Sequence, residues 1–430
     1  MDVERRKTMK NGYTHFISKE EMEKELIKIS RPSEIKKGGI PLSYDDNSIY
    51  LDDSTGHNLI IGSTGSGKTQ TISFPKIYTS ILAGESLIID DHRKESYETF
   101  KEELLNNQYK VIELDFYNFV GNTWNPLSLP YKLYKEGEID ESLKLVEKIA
   151  YYLFEYTNDQ KQDPFWITSA RNLFVGLVMA CMDLSKNEFS ICSVVDSLSE
   201  DYLLNVVNET KDEVALSLLK NINIMPKDTK GSVIAVFNHA MLNYTKMSRL
   251  KSFLNKTDFN MEDFLNEKVA LFVYNSDERI YINSLFSLFI EEVYYVARRG
   301  NNKRKINILL DDFDDYVNFE NFPKLLADSR SNYIEITILT RSLHRLTEKY
   351  GETNFDNILS YFTRVIYLYA NDEYTLNYLS KLCGNKNNEE ALITPTELKL
   401  LKTFESIVLK SRYLPFKTKL LPYFQYEIKK

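Results

Sequence analysis

The octet Gly62-Ser63-Thr64-Gly65-Ser66-Gly67-Lys68-Thr69 has the residue types and spacing of a phosphate-binding loop. It follows the apolar run Asn58–Ile61 and precedes a helical segment, the context that loop requires. Its glycines let backbone N–H groups converge on phosphate oxygens, and the helix N-terminus adds partial positive charge. Lys68 is placed to reach the β- and γ-phosphates and Thr69 to ligate Mg²⁺. ATP and Mg²⁺ are the expected cofactors. Pro75 lies too far into the helix for its first turn, so a kink or an end is predicted near it.

Such a site needs an acidic residue at the end of another buried strand, and INILLDDFDDY supplies it. Asp311 is placed to hold Mg²⁺ through water, and Asp312 to polarise the attacking water. Asp314 and Asp315 read as solvated loop charges. SLIIDDHRKESYETF is a further strand running into a charged turn, and Asp91, Arg93 and Glu95 there have two readings. Either they face the nucleotide, as residues at the carboxyl ends of parallel strands do, or they open a solvated helix. Arg330 also has two readings, a surface ion-pair partner or an arginine that stabilises charge on a neighbouring subunit's γ-phosphate. Arg341 and Arg345 share a helical face and either contact phosphate or are solvated. His57, His92 and His344 are scattered and read as structural.

The elements that must hold these residues are short apolar runs: 58–61, 86–89, 110–114, 269–274, 306–310, 335–339, 365–368 and 407–409. Most are apolar on successive positions, the pattern of strands buried on both faces of a parallel sheet. Between about 131 and 260 no such run occurs, and EIDESLKLVEKIAYYLFEY and ITSARNLFVGLVMACMDL read as helices. Met22, Leu26 and Ile29 predict a short amphipathic helix over 19–29. The predicted fold class is α/β, a mainly parallel central sheet with an inserted all-α domain. Residues 1–45 are predicted to form an N-terminal segment packing on the nucleotide-binding domain, 46–130 and 261–430 that domain, and 131–260 the all-α domain.

With 43 % hydrophobic and 27 % charged residues, the 430-residue chain is excluded from disordered, collagen-like and coiled-coil classes. A net charge of -8 argues against a protein that coats nucleic acid, though not against nucleic acid gripped inside an oligomeric channel. Cys181, Cys192 and Cys383 have neither metal nor disulfide spacing and suit a reducing cytoplasm. The N-terminus lacks the apolar core of a signal peptide. The longest apolar stretch, Leu173 to Met182, is about half of the ~20 residues a membrane span needs, so the chain reads as soluble.

The phosphate loop, DDHRKESYETF, WNPLS at 124–128, DPFW at 163–166, LLDDFDDY, the Arg330 strand, RSLHRLTEKYG and ITPTELKLL occur in an order that resembles the type IV coupling proteins. These are the TraG-like ATPases of conjugation and type IV secretion, and the similarity runs from about His15 to Tyr423. The resemblance implies a RecA-like P-loop NTPase domain carrying an all-α insertion. It implies an ATPase that works as a hexamer and recruits or pumps conjugative DNA, or a relaxase-type protein, to the membrane components of a type IV secretion channel. By residue, Lys68 and Thr69 match the family's phosphate-loop pair, Asp311 its metal-side acid, and Arg330 an arginine near the subunit interface. With Asp312 these are the expected catalytic and metal residues. Gly62 to Thr69 and Asp91 are the expected nucleotide contacts.

The family usually carries transmembrane helices ahead of the nucleotide domain. None is present here, which leaves either a soluble subtype docked by a separate membrane protein or a truncated chain. Met1 and the unbroken match near the start favour the soluble subtype, expected to be cytoplasmic and peripherally recruited to the inner face of the bacterial membrane. Asp311-Asp312 replaces the usual aspartate-glutamate, Asp91 to Glu95 lacks the usual glycine, and Arg341 and Arg345 stand where glutamines are usual. These changes imply slow hydrolysis, and a glutamate at 312 is expected to raise it, unless a shifted strand, Arg341 or Glu95 already places Asp312 well, in which case the glutamate would crowd the γ-phosphate and lower the rate. Two rivals remain: a nucleotide-regulated adaptor with little hydrolysis, and an FtsK- or HerA-like DNA translocase.

Overall fold

The computed structural model describes residues 13–45, 47–155, 163–275 apart from 197 and 199, 280–300, 304–316, 319 and 321–427. Among the described residues thirteen strands are numbered in chain order: β1 (Ile27–Ile29), β2 (Ile40–Asp45), β3 (Ser48–Asp52), β4 (His57–Gly62), β5 (Ser86–Asp90), β6 (Lys110–Asp115) and β7 (Val120–Gly121). They continue with β8 (Val269–Tyr274), β9 (Ile306–Leu310), β10 (Ile334–Thr340), β11 (Phe362–Tyr369), β12 (Glu405–Lys410) and β13 (Phe416–Lys419). The main sheet has the order β13-β12-β11-β4-β10-β9-β5-β8-β6-β7. From β11 to β5 neighbouring strands are parallel, and β12, β13 and β7 add antiparallel edges. Every residue of β4, β5, β8, β9 and β10 is buried. This burial on both faces is why the runs are apolar without alternation.

The chain divides into two compact units, residues 1–111, 262–272 and 296–430 in one, and 112–261 and 273–295 in the other. These divisions fall at 111/112 and 261/262, inside β8 and inside the helix Ile280–Arg299, whereas the sequence reading places them at 130/131 and 260/261.

In the first unit the helix predicted over 19–29 stops at Glu23. Ser18 opens it, accepting from the Glu21 amide while the Glu21 carboxylate accepts from the Ser18 amide. Ile27 to Ile29 then form a strand that pairs with β3, which pairs with β2. Met22, Leu26, Ile40 and Leu42 pack with Ile60, Ile72, Leu339 and Ile366, so the N-terminal segment joins the core beneath the phosphate loop's strand. A buried charge cluster lies in the same unit. Lys76 and Glu335 are ion-paired, Lys305 Nζ lies 2.9 Å from Glu335, and Arg364 Nη1 lies 3.4 Å from Asp52.

Among the described residues of the second unit, the elements between Ser128 and Phe253 are all helices. Asp163 caps the helix Pro164–Leu184 by accepting from the Phe165 amide, with Pro164 in the first turn, which explains the DPF sequence. That helix corrects the sequence reading of its apolar stretch, because its 21 residues are long and apolar enough to cross a membrane. Two-thirds of that stretch, 67 %, is buried by the surrounding protein. A side chain at Gly176 would meet Leu219 of the helix Glu213–Asn223 at 2.9 Å, so glycine permits the close approach. The WNP sequence is structural. Trp124 is fully buried and its Nε1 donates to Glu292 at 2.6 Å, while Asn125 donates to Glu188 and the Phe189 carbonyl.

Candidate active site at the strand ends

The phosphate loop leaves the carboxyl end of β4, and Ser63 N donates to the Tyr369 carbonyl at the end of β11. Gly67 has φ +93°, a left-handed conformation open to glycine, and a Cβ at Gly62 would sit 2.4 Å from Ser66 Oγ. Lys68 is buried, and its Nζ donates to the Gly62 carbonyl at 2.7 Å. The Ser66 hydroxyl is buried with no hydrogen-bond partner among the described residues. An orphaned donor beside a folded-back ammonium is what a phosphate group would satisfy. Thr69 opens a π-helical turn over Thr69–Ser73, and the α-helix Phe74–Leu82 follows with Pro75 in its first turn. The wide turn accommodates a proline that cannot donate to the carbonyl four residues back, in line with the expected irregularity.

The carboxylates lie at the ends of β9 and β5. β10 separates β4 from β9, pairing Thr337 with Asn58 on one side and with Leu309 on the other. Burial, and after it the neighbouring Asp312, push the Asp311 carboxyl up, while the Lys68 cation pulls it down. Asp311 Oδ1 accepts from the Asp312 amide at 2.9 Å. Asp90 joins it. The Tyr316 hydroxyl donates to Asp90, and His92 Nε2 lies 3.2 Å from it. Burial pushes Asp90 up to about 6, against the pull of His92, and Asp311 and Asp91 add to the rise. Asp90 Oδ1 is buried without a partner among the described residues.

Two carboxylates under strain from burial fit a divalent cation shared with phosphates. Among the described residues no group of three His, Cys, Asp or Glu side chains is set to hold a metal. Mg²⁺ in nucleotide sites commonly takes one or two carboxylates and completes its shell with phosphate and water.

The sequence pointed to Asp91, but Asp91 accepts from the Ser96 and Tyr97 amides at 3.0 and 2.9 Å. It holds the start of the helix Glu95–Asn106, and its neighbour Asp90 faces Asp311. Strand alternation sends consecutive side chains to opposite faces, and the run of buried residues hides which face is which. Arg93 and Glu95 are exposed, with Arg93 Nη1 3.9 Å from Glu95. His92, read as structural, belongs to the site through Asp90.

Asp314 and Asp315 are not solvated loop charges. The Asp314 side chain is 1 % exposed and accepts from the Arg341 amide at 2.9 Å and the Thr340 hydroxyl at 2.5 Å. Asp315 accepts from Arg341 Nη2 at 2.5 Å, and Arg345 Nη1 lies 3.7 Å away. Both arginines therefore meet carboxylates. Lys349 Nζ donates to the Phe313 and Tyr316 carbonyls at 3.0 and 2.6 Å, beneath a stack of Phe313, Phe319, Phe322 and Tyr350. Burial pulls the Lys349 ammonium down to about 8, with Asp314 and Asp315 opposing. The lysine–tyrosine pair of KYG is thus the brace of the acidic turn.

Arg330 is exposed in a 3₁₀ turn ahead of β10, at the amino-terminal edge of the parallel strands. Near it, His57 is fixed by the Leu326 carbonyl and the Ile336 amide. A cavity of about 240 Å³ flanks the phosphate loop on its other side, lined by Thr64, Gly65, Ser66, Tyr369, Lys402 and Phe404.

A phosphate loop and an acidic strand end with one parallel strand between them define an α/β P-loop NTPase of the RecA-like type. The chain belongs to the type IV secretory system conjugative DNA transfer family, which matches residues 6–390. It is 22 % identical over 411 residues to Protein VirD4 of Rhizobium radiobacter, covering 86 % of this chain and 57 % of that protein. Protein VirD4 of Agrobacterium fabrum is 21 % identical over 404 residues. The chain thus spans little more than half the length of these relatives. Among solved structures it is similar to the coupling protein TrwB in complex with ADP and Mg²⁺, with a TM-score of 0.66, 16 % identity and coverage of 95 % and 94 % of the two chains. VirB4 of Thermoanaerobacter pseudethanolicus follows at a TM-score of 0.53 and 13 % identity, covering 89 % of this chain and 96 % of that one.

Proposed function

We propose that this chain is a Mg²⁺-ATP-dependent coupling protein that engages conjugative DNA, or a relaxase-type protein bound to it, and delivers it to a type IV secretion channel. The observation that carries the reading is the meeting of Lys68, with the unpartnered Ser66 hydroxyl beside it, the half-buried carboxylate of Asp311 and the buried one of Asp90. Lys68 would leave the Gly62 carbonyl for the β- and γ-phosphates. Thr69 and Asp311 would hold Mg²⁺, with Asp90 behind them. Mg²⁺, when bound, neutralises charge on the β- and γ-phosphate oxygens. Asp312 orients the attacking water, and the cavity beside Phe404 takes the base and ribose.

Arg330 serves a neighbouring subunit's nucleotide in a ring, proposed to be a hexamer. The helical region 131–260 contacts cargo, and the protein works at the cytoplasmic face of the bacterial membrane. The fold and the family membership support each of these assignments. Asp312 stands where the resemblance implies a longer glutamate, and it favours slow turnover, which keeps the nucleotide-regulated adaptor as a second reading.

The test is nucleotide affinity by fluorescent analogue together with phosphate release with and without DNA, in the wild type and in Lys68→Ala. The proposal expects DNA-stimulated release, abolished in Lys68→Ala, whose fold is retained. Tight nucleotide binding with no release under either condition would select the adaptor. Unchanged affinity and turnover in Lys68→Ala would remove the phosphate-loop assignment.

A further inference from the structure

Arg341 emerges from the carboxyl end of β10, one residue beyond the Thr340–Ile61 pair, level with Gly62 at the start of the phosphate loop. On the other side β10 pairs with β9, whose last residue is followed by Asp311 and Asp312. The side chain thus starts between the two halves of the site. Its guanidinium faces three carboxylates of one turn: Nη2 lies 2.5 Å from Asp315, Nε 3.5 Å from Asp314 and Nε 3.7 Å from Asp312 Oδ1. Asp314 is in turn locked to the backbone just beyond β10 through the Arg341 amide. Asp312 has φ +43° and ψ +45°, a left-handed conformation that costs an L-residue roughly 1 kcal/mol and persists when its surroundings over-determine it.

We infer that Arg341 is the positioning residue for Asp312. Anchored by Asp314 and Asp315, its guanidinium fixes the direction in which the Asp312 carboxylate points. This rests on the reading of Asp312 as the water-orienting group. A single exposed ion pair is a weak constraint. Here the side chains are only 27 % and 36 % exposed, and the cation is held from two further sides. The planar guanidinium can meet several carboxylates at once in a fixed fork, which a lysine ammonium on a flexible stem cannot reproduce. Without the anchor Asp312 regains its other side-chain rotamers. Displacement of a catalytic group by about 1 Å can cost about a hundredfold in rate.

The experiment compares wild type, Arg341→Ala, Arg341→Lys, Asp312→Asn and the double variant Arg341→Ala/Asp312→Asn. Single-turnover hydrolysis, KM and nucleotide affinity are measured for each. Arg341→Ala should lose about tenfold or more in rate, with KM and affinity nearly unchanged, and Arg341→Lys should fall between. In the Asp312→Asn background, Arg341→Ala should cost nothing further, because there is no carboxylate left to aim. A penalty of equal size in that background, or a change confined to KM and affinity, would overturn the inference in favour of a direct phosphate contact.

If Asp312→Asn hydrolyses like wild type, the water-orienting role itself fails, and that result is distinct from a failure of the Arg341 arm. Deuterium exchange of the peptide over 311–316 provides a readout without turnover. Arg341→Ala should raise exchange there and leave the phosphate-loop peptide unchanged, and an unaltered pattern would sink the clamp.

Discussion

Arg330→Ala should abolish turnover while leaving that subunit's own nucleotide pocket intact. The sheet register supplies the reason. Thr340 pairs with Ile61, so Gly62 lies level with Arg341, and Ile334 at the start of β10 lies seven residues lower. At about 3.3 Å per residue the separation is roughly 23 Å, and Arg330 comes earlier still. No arginine side chain spans that distance, so Arg330 can serve a γ-phosphate only in another subunit. An arginine supplied in this way is worth about 10³–10⁵ in rate.

The decisive assay mixes Arg330→Ala with Lys68→Ala. Each is inactive alone, but a site is complete wherever the first variant's phosphate loop meets the second variant's arginine. In a head-to-tail ring assembled at random from equal amounts, about one site in four is of that kind, whatever the ring size. Specific activity should therefore recover to about a quarter of wild type if sites act independently. It should fall on dilution. A mixture as inactive as its components, with wild-type activity flat on dilution, would refute a contribution in trans and leave Arg330 a surface residue.

Asp312→Glu tests the water-orienting group in a second way. The sequence leads one to expect a gain, but the left-handed backbone and the Arg341 anchor are matched to aspartate, so the structure predicts a fall of about tenfold in single-turnover rate. A faster variant would show that Asp312 stops short of the water. Glu335→Gln leaves Lys76, Lys305 and Arg364 facing a neutral group and should cost about 3 kcal/mol at pH 7. Those cations and Lys76 above all hold Glu335 below its ordinary 4.5 despite burial, so its stabilising contribution is full above that pH and fades as pH falls below it. Urea midpoints for the two proteins should therefore converge in acid, and parallel curves would contradict the pairing.

Glu292→Gln should act in the opposite sense. Burial pushes Glu292 up to about 8 from 4.5, the Trp124 hydrogen bond opposing, so the wild type is most stable below 4.5 and loses stability as pH rises towards 8. The glutamine keeps an acceptor for Trp124 and should gain about 1–3 kcal/mol at pH 7 in denaturant unfolding. A loss at that pH would mean that the ionised carboxylate is needed.

Much of this molecule is local information. The phosphate loop is eight contiguous residues whose spacing is its chemistry, and it sits where the sequence places it, between a buried strand and a helix start. The core strands were legible because burial on both faces leaves unbroken apolar runs. The helical stretch after Ser128 was legible from its period. What the sequence could not contain is which strand ends become neighbours and which way each side chain turns there. Asp90 and Asp91 are chemically the same residue, and only the placement of β5 beside β9 turns one toward Asp311 and leaves the other to start a helix.

The N-terminal strands were hidden because Ile27–Ile29 satisfies a helical spacing until β3 offers it a partner. Asp314, Asp315 and Arg341 look like solvated charges until β10 sets them against one another. Arg330 was one of two things on sequence grounds, and the register of β10 on β4 puts it at the edge remote from its own phosphate loop. Residue type determined what each group can do. Long-range strand pairing, which joins positions tens to hundreds of residues apart, decided which of them can do it together.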